Sequence, residues 1–335
     1  MSLVRPVTGR RSGVTPASAI ALIGGLALLG VAIRAAAPER VEWLRAAAVV
    51  FGSLVIQAMP FVLIGALAAA LIEVFVPVRI FEAIGRFPRL IQLPVAALAG
   101  VAFPICECGS VPVARRLMLR GLTPSAAITF MLAAPVVNPV VIASTVYAYG
   151  GRTVLWTMVL GRLGLGMLVA VAVGWTLGAL GRDELLRAVP PGATGVEVGT
   201  PEPRWRRFTV HLAGDFLFLG RYLLLGAAVA AAVQTFLPQQ ALARLAATPV
   251  VDAVLLMVLA AVLSLCSESD AFIAASFARF GPSAQLAFLV FGPMVDLKLG
   301  ALYAATFRRG PAVTIVVIAA VVTLVGAMWI GTVTG

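Results

Sequence analysis

The sequence predicts an all-α polytopic membrane protein with two internal repeats, each with a broken or re-entrant helical hairpin, plus one extra N-terminal helix. Two observations carry this prediction: the composition of the chain and a residue pattern that occurs twice. Of the 335 residues, 61% are hydrophobic and 12% are charged, and the mean hydropathy is +1.05. A soluble globule of this length could not cover so much apolar surface, so we expect the chain to lie in a lipid bilayer.

The repeated pattern begins with a Pro-Ser-Ala triplet, which occurs at residues 124–126 and again at 282–284. Eleven residues after the first proline of each triplet comes a second proline, which opens Pro-Val-Val-Asn at 135–138 and Pro-Met-Val-Asp at 293–296. A duplicated apolar chain with polar residues at corresponding interruptions is typical of membrane transporters.

The apolar runs and the charged segments between them divide the chain into four parts. These are an N-terminal cytoplasmic segment with the first transmembrane helix (1–45), repeat 1 (46–180), a cytoplasmic linker (181–208) and repeat 2 (209–335). The first apolar run, residues 17–33, could instead be a signal peptide, but the many later spans favour a retained helix. Arginines in the N-terminal segment and in the linker predict that both face the cytoplasm of a bacterial inner membrane.

Each repeat contains one apolar run that is shorter than a membrane crossing. Residues 91–105 and 250–265 fall below the length of about 20 residues that spans the hydrocarbon core, and each run ends at a polar break. We expect both runs to re-enter rather than cross, which leaves three crossings per repeat and an inverted topology. If the short runs cross fully, each repeat has four spans and the duplication is parallel.

The polar breaks are the expected functional site, because irregular backbone inside a membrane is tolerated only where it lines a cavity or is buried in protein. The residues expected to break the helices are Pro104, Gly109, Pro112, Pro135 and Pro293. The expected substrate-binding residues are Cys106, Cys108, Cys266, Asn138 and Ser110. Thiolates are soft ligands that would hold Cu(I), Zn(II) or trivalent arsenic. Packing of buried cysteines as small hydrophobic residues is the alternative.

Five charged residues near the breaks are expected to line a polar cavity or to couple transport to protons: Glu107, Glu268, Asp270, Asp296 and Lys298. A charge at membrane depth is costly unless it is paired, so such residues mark functional sites by default. Lys298, the only lysine in the chain, is a candidate partner for Asp296 two residues before it. Hydration of some of these acids at the membrane surface is the alternative.

Four segments together resemble the ArsP/YraQ-like predicted permeases: residues 103–112, 134–139, 266–272 and 291–298. The likeness covers roughly residues 46–333. Members similar to ArsP export trivalent methylated arsenicals, with cysteines implicated in binding, whereas most relatives have no assigned substrate. The resemblance therefore implies a permease for a small molecule, and it implies that any arsenical role belongs to Cys106, Cys108 and Cys266.

The expected function is that of a proton-coupled secondary transporter without a cofactor or a resident metal. The net charge of +11 comes from arginines placed between apolar runs, which argues against nucleic-acid binding. The sequence holds no Gly-x4-Gly-Lys loop, so direct use of ATP is not expected. A membrane thiol oxidoreductase and a passive channel for an unrelated small solute are the alternatives. The substrate, the direction of transport, the coupling ion and the oligomeric state stay open, and a homo-oligomer is compatible with the sequence.

Overall fold

A computed structural model describes residues 42–75, 87–102, 105–187, 204–236 and 248–334. The chain forms two compact units, Met1–Val49 and Val50–Gly335. The predicted first helix at residues 17–33 and the predicted break residue Pro104 lie outside the described residues. Of the predicted linker, only residues 181–187 and 204–208 are described.

The regular secondary structure of the described residues consists of helices, so the all-α prediction is confirmed. In chain order the helices are α1 (Glu42–Phe75), α2 (Arg89–Ala102), α3 (Glu107–Leu119), α4 (Pro124–Val137), α5 (Pro139–Ala148), α6 (Leu155–Leu177), α7 (Arg182–Leu185), α8 (Arg204–Phe236), α9 (Pro249–Leu263), α10 (Asp270–Ser276), α11 (Pro282–Phe291), α12 (Leu297–Thr306) and α13 (Arg309–Thr334).

Within the described part of the chain, five helical stretches are long and apolar enough to cross a membrane, which makes this a multi-pass membrane protein. They are Arg45–Ile72, Pro124–Ala148, Leu155–Leu177, Phe208–Thr235 and Arg309–Val333. The second of these stretches consists of α4 and α5, which are separated only at Asn138. Three apolar helices are shorter, at Arg89–Val101, Pro249–Leu263 and Pro282–Phe291.

The core lies where α4 and α11 pack against their neighbours. Every residue of α4 after Pro124 is buried, and this helix packs against α2, α3 and α6. Helix α11 packs in the same way against α9 and α13. Small residues let these helices approach closely, as where Gly166 of α6 lies against Val136 of α4. The apolar side chains that remain exposed, such as Val317 and Val321 on α13, are those that acyl chains would cover.

Hydrogen bonds between helix ends show which ends lie together. Arg89 at the start of α2 donates to the carbonyl of Gly178 after α6, with a distance of 3.1 Å. Arg152, just before α6, donates to the carbonyl of Ala275 near the end of α10, at 2.9 Å. The start of α2 and the end of α10 therefore lie at opposite ends of α6.

The segment after α6 is held against the second half of the chain. The backbone N–H of Arg187 donates to the carbonyl of Thr306, and the N–H of Arg308 donates to the carbonyl of Leu185, each at 2.9 Å. Leu186 and Phe307 form an isolated antiparallel bridge between these two bonds. The end of α12 and the start of α13 therefore lie beside α7.

Candidate functional site

The first helix break carries two buried thiols. Cys106 has an extended backbone (φ −73°, ψ 174°) and precedes α3, which begins at Glu107. Cys106 and Cys108 are each only 1% exposed, and their side chains interact with each other. All three cysteines of the chain are free thiols. The break therefore presents a pair of adjacent sulfur atoms inside the protein.

A glycine contact brings α1 against this break. A Cβ on Gly65 of α1 would lie 2.5 Å from the Cα of Gly109, and a Cβ on Gly109 would lie 3.1 Å from the carbonyl oxygen of Phe61. These distances are too short for a side chain at either position. Glycine at both positions thus allows the backbone of α1 to touch the start of α3, as close helix packing in membranes requires.

The second helix break brings the third thiol to the same region. Helix α9 ends at Ser264, whose φ of 47° lies in the left-handed region, and the chain then turns through Cys266 and Ser267 into α10. Cys266 is 2% exposed and interacts electrostatically with Cys108 and Lys298. The two breaks, far apart in the chain, therefore share one buried site.

Glu107 connects the two breaks. Its Oε2 accepts a 2.8 Å hydrogen bond from the hydroxyl of Ser267, and its Oε1 lies 3.8 Å from the Nζ of Lys298. The same Nζ lies 3.7 Å from Oδ2 of Asp296. The side chains of Glu107, Asp296 and Lys298 are each about 1% exposed. A buried charge without a partner costs several kcal/mol, so these charges depend on one another.

Asn138 and Asp296 occupy matching positions in two interrupted helices. The Oδ1 of Asn138 accepts from the N–H of Val140 at 2.9 Å and caps α5. The Oδ1 of Asp296 accepts from the N–H of Leu299 at 2.6 Å and caps α12. Each side chain thus satisfies a free amide at the start of the second half-helix. The other carboxylate oxygen of Asp296, Oδ2, faces the Nζ of Lys298. Asn138, in contrast, accepts its hydrogen bond from the backbone of the helix that it caps.

A second buried charge cluster surrounds Arg162 on α6. Its Nη2 donates to Oδ2 of Asp270 at 2.8 Å and to the carbonyl of Ser267 at 3.0 Å, while its Nη1 donates to the hydroxyl of Thr145 at 2.9 Å. The side chains of Arg162 and Asp270 are 2% and 4% exposed. Ser267 therefore joins the two clusters, through its hydroxyl on one side and its carbonyl on the other.

The structure brings six of the expected site residues together: Cys106, Cys108, Cys266, Glu107, Asp296 and Lys298. Asp270 lies with Arg162 instead, and Glu268 is half-buried and interacts electrostatically with both Glu107 and Arg162. The hydroxyl of Ser110 donates to the carbonyl of Glu107 at 2.9 Å. Ser110, like Asn138, is thus engaged by its own helix.

Three residues expected to break helices lie inside helices. Gly109 and Pro112 belong to the first two turns of α3, and Pro135 lies within α4. Pro112 is the sixth residue of α3, so its missing N–H leaves the carbonyl of Cys108, four residues earlier, without the usual helical hydrogen bond. Helix α4 continues for two residues beyond Pro135 and ends before Asn138. Pro293 does lie in an interruption, between α11 and α12.

Two residues of the site were not among the expected ones. Arg162 stands alone in the middle of an apolar run, and this isolation is the signal that could have identified it. Ser267 shows no such signal in its own segment. Among the described residues, no group of three His, Cys, Asp or Glu side chains is arranged to hold a metal ion. The thiols therefore offer two adjacent sulfurs rather than a closed metal cage.

Comparison with known proteins places the chain in a family. Residues 43–332 match the family ArsP_1, which is described as a predicted permease. The UPF0718 protein YcgR of Bacillus subtilis is 38% identical over 281 residues, which cover 83% of this chain and 95% of that protein. A Streptococcus mutans protein named putative two-component membrane permease complex subunit is 33% identical over 252 residues, 74% of this chain and 83% of that protein.

No solved structure matches the chain. The family match spans both helix breaks and the buried charges between them, and the two relatives share most of this length. The chain belongs to the ArsP_1 family of predicted permeases.

Proposed function

We propose that this permease is a secondary transporter that exports a small thiophilic solute, a trivalent organoarsenical or a related soft metalloid or metal, in exchange for protons. The observation that carries the proposal is the buried pair of interacting thiols, Cys106 and Cys108, with Cys266 nearby. A monomethylated trivalent arsenical has two exchangeable valences, which two adjacent thiols can satisfy. Sulfur ligands are soft, and they select soft centres over hard cations.

The transporter is built from two inverted repeats. The order of helices supports this: a long helix, a short hairpin, an interrupted helix and a long helix occur in residues 42–177 and again in 204–334. The hydrogen bonds of Arg89 and Arg152 support opposite orientations, because the two hairpins have their outer ends at opposite ends of α6. Hairpins that re-enter from opposite faces and meet at one site are a familiar transporter architecture.

The binding site lies near the axis that relates the two repeats. Cys106 and Cys266 are 266 − 106 = 160 residues apart, and so are Glu107 and Ser267, with 267 − 107 = 160. The Glu107–Ser267 hydrogen bond therefore joins equivalent positions, and equivalent positions touch each other only near a twofold axis. A substrate held there would contact both repeats, as alternating access requires.

Glu107 is the proposed coupling residue. Its carboxylate belongs to repeat 1, whereas both its partners, Ser267 and Lys298, belong to repeat 2. Protonation of Glu107 would remove its attraction for Lys298, and Lys298 would keep Asp296 within its own repeat. A proton would thus weaken a contact between the repeats without leaving the lysine unpaired, which is a route from proton binding to movement.

The face of the protein at which the linker (residues 181–208) begins is called the linker face. It is proposed to be cytoplasmic, and the N-terminus is proposed to lie on the same side. Between residues 50 and 334, the arginines of the described residues near helix ends are unevenly divided between the two faces. The linker face carries Arg89, Arg120, Arg182, Arg187, Arg206, Arg308 and Arg309, and the opposite face carries Arg152 and Arg279. An excess of arginine marks the cytoplasmic side of bacterial membrane proteins.

Transport of methylarsenite into everted membrane vesicles tests the proposal. We expect uptake that a protonophore abolishes and that falls at least tenfold in Cys106→Ser and Cys108→Ser. Ser144→Ala is the matched control, because Ser144 is buried and its hydroxyl bonds only its own helix, at 2.9 Å to Val141. Uptake that is unaffected by Cys106→Ser, Cys108→Ser and Cys266→Ser would remove sulfur from the mechanism.

The same vesicles separate the alternatives. A passive channel would move methylarsenite at a rate that does not depend on the proton gradient. A thiol oxidoreductase would lose its activity in Cys108→Ser and would neither bind nor move the solute. Either result contradicts the proposed transporter.

A further inference from the structure

Two arginines outside the thiol site surround one aromatic ring. The guanidinium carbon of Arg115 on α3 lies 5.9 Å from the ring centre of Phe218 on α8, and that of Arg221 lies 4.7 Å from the same centre. Within the described part of the chain, neither guanidinium makes an ion pair, and the buried Nε of Arg115 has no hydrogen-bond partner. Two guanidinium groups therefore lie beside the same ring, and neither has an ion-pair partner within 4 Å in the described residues.

The carboxylate that acts on Arg115 in the described residues is that of Asp215, which is already engaged by Arg116. Asp215 accepts two hydrogen bonds from Arg116, at 2.9 Å from Nε and at 2.8 Å from Nη2. Such a bidentate pair uses both carboxylate oxygens and is nearly neutral as a unit. Arg115 and Arg221 thus leave a local excess of two positive charges, and a partly buried excess charge favours binding of an anion.

The depth of Arg115 in the membrane matches the level of the lipid phosphates. Arg115 follows Cys106 by nine residues, which corresponds to about 14 Å along a helix. Half of the hydrocarbon core is about 15 Å thick. This depth of Arg115 depends on the proposed function, which places the first helix break in the middle of the membrane. With that position, Arg115 reaches the boundary between hydrocarbon and head groups on the linker face.

An apolar path on α8 continues from the arginines into the membrane. Arg221, Leu225 and Val229 are spaced by four residues and lie on one face of the helix. Leu225 is 61% exposed and Val229 is 46% exposed. A free phosphate ion would gain nothing from this surface, whereas the acyl chain of a lipid would cover it. The surface therefore favours a phospholipid over a soluble anion.

We infer that the cleft between α3 and α8, which is lined by Arg115 and Arg116 on one side and by Asp215 and Phe218 on the other, binds an anionic phospholipid. Its phosphate accepts hydrogen bonds from Arg115 and Arg221 beside Phe218, and one acyl chain lies along Leu225 and Val229. Basic pockets between membrane helices on the cytoplasmic side recognise such head groups through the same chemistry. The lipid would hold the hairpin of repeat 1 against the first helix of repeat 2.

The test measures the melting temperature of the purified full chain in a neutral detergent. Added phosphatidylglycerol is expected to raise the melting temperature by several degrees more than phosphatidylcholine does. Arg221→Gln should lose at least half of this shift, and the double variant Arg115→Gln/Arg221→Gln should lose all of it. In native mass spectrometry, the unchanged protein should carry the most bound phosphatidylglycerol molecules, Arg221→Gln fewer and the double variant the fewest.

Arg308→Gln/Arg309→Gln is the matched control, because it removes two exposed arginines from the same face of the protein. If both double variants lose the same part of the shift in melting temperature, the lipid is attracted by the surface arginines in general. This result would overturn the proposal. An equal shift produced by sodium phosphate would overturn it as well. If the double variant does not fold, the shift in melting temperature of Arg221→Gln alone decides whether the proposal holds. This single variant is expected to fold, because Arg221 is exposed and makes no hydrogen bond in the described residues.

The lipid site and the proposed transport can fail separately. Cys106→Ser/Cys108→Ser should keep the full shift with phosphatidylglycerol even though it no longer moves methylarsenite. A shift that disappears in this cysteine variant would contradict the assignment of the lipid to Arg115 and Arg221.

Discussion

The hydroxyl of Ser267 donates a hydrogen bond to Glu107 across 2.8 Å, although 160 residues separate the two in the chain. The contact joins the start of α3 to the turn before α10. Ser267 also accepts from Arg162 through its carbonyl, so one residue is shared by both buried charge clusters. Substitutions around it should therefore affect stability and transport together.

Ser267→Ala should destabilise the protein by about 1–3 kcal/mol, because Glu107 would lose a hydrogen-bond donor in a buried position. Thermal unfolding in detergent measures the change. Ser144→Ala is the control, since this buried hydroxyl donates only to a carbonyl of its own helix. Equal unfolding temperatures for Ser267→Ala and the unchanged protein would show that the bond is not important for stability.

Lys298→Met should destabilise the protein by about 3–5 kcal/mol, because Glu107 and Asp296 would be left as buried carboxylates without a cation. The double variant Lys298→Met/Glu107→Gln removes one of the two stranded charges and should recover part of the loss. Guanidinium or urea unfolding of the single and double variants provides the comparison. A double variant that is less stable than Lys298→Met would contradict the ion pair.

Arg162→Gln should reduce the yield of folded protein more than Arg279→Gln does. Arg162 is buried and pairs with Asp270, whereas Arg279 is exposed between α10 and α11. Arg162→Gln/Asp270→Asn should restore part of the yield, because neither a cation nor a carboxylate then remains unpaired. Size-exclusion chromatography of the detergent extracts measures the folded fraction, and no difference between the two single variants would count against the pair.

Gly226→Ala and Gly220→Ala should have opposite effects, although both lie in α8. A Cβ on Gly226 would lie 2.9 Å from the Cα of Lys298, so α8 and α12 would have to separate. A Cβ on Gly220 would meet nothing within 4 Å, and alanine is favoured over glycine inside a helix by up to about 1 kcal/mol. Melting temperatures should fall for Gly226→Ala and stay level or rise for Gly220→Ala.

The helical class and the two polar interruptions could be predicted from the sequence, because the lengths of the apolar runs and the polar residues between them can be read from local composition. The pairing of Lys298 with Asp296 was also predictable, since the two residues are neighbours in the chain. The pairing of Lys298 with Glu107 was not, because it depends on how distant helices pack. The partner of Arg162 was unpredictable for the same reason.

The role of Asn138 could have been predicted but was assigned differently. Asparagine followed directly by proline is a signal for the start of a helix, because proline favours the first helical position. Asn138 and Pro139 fit this signal, and the side chain caps α5. Cys106 lies in the first break and Cys108 in the first turn of α3. Whether Asn138 or the thiol pair binds a solute stays a prediction.

The strand-like contact of residues 185–187 with residues 306–308 restricts how the two halves of the chain can rearrange. The connection after α6 is fixed to the end of α12 by two backbone hydrogen bonds, each worth about 1 kcal/mol in a folded protein. Separation of the halves on this face must either break these bonds or carry residues 182–187 along with α12. On the opposite face the halves are joined instead by the hydrogen bond from Arg152 to the carbonyl of Ala275, at 2.9 Å, so movement toward either face must overcome a contact of its own.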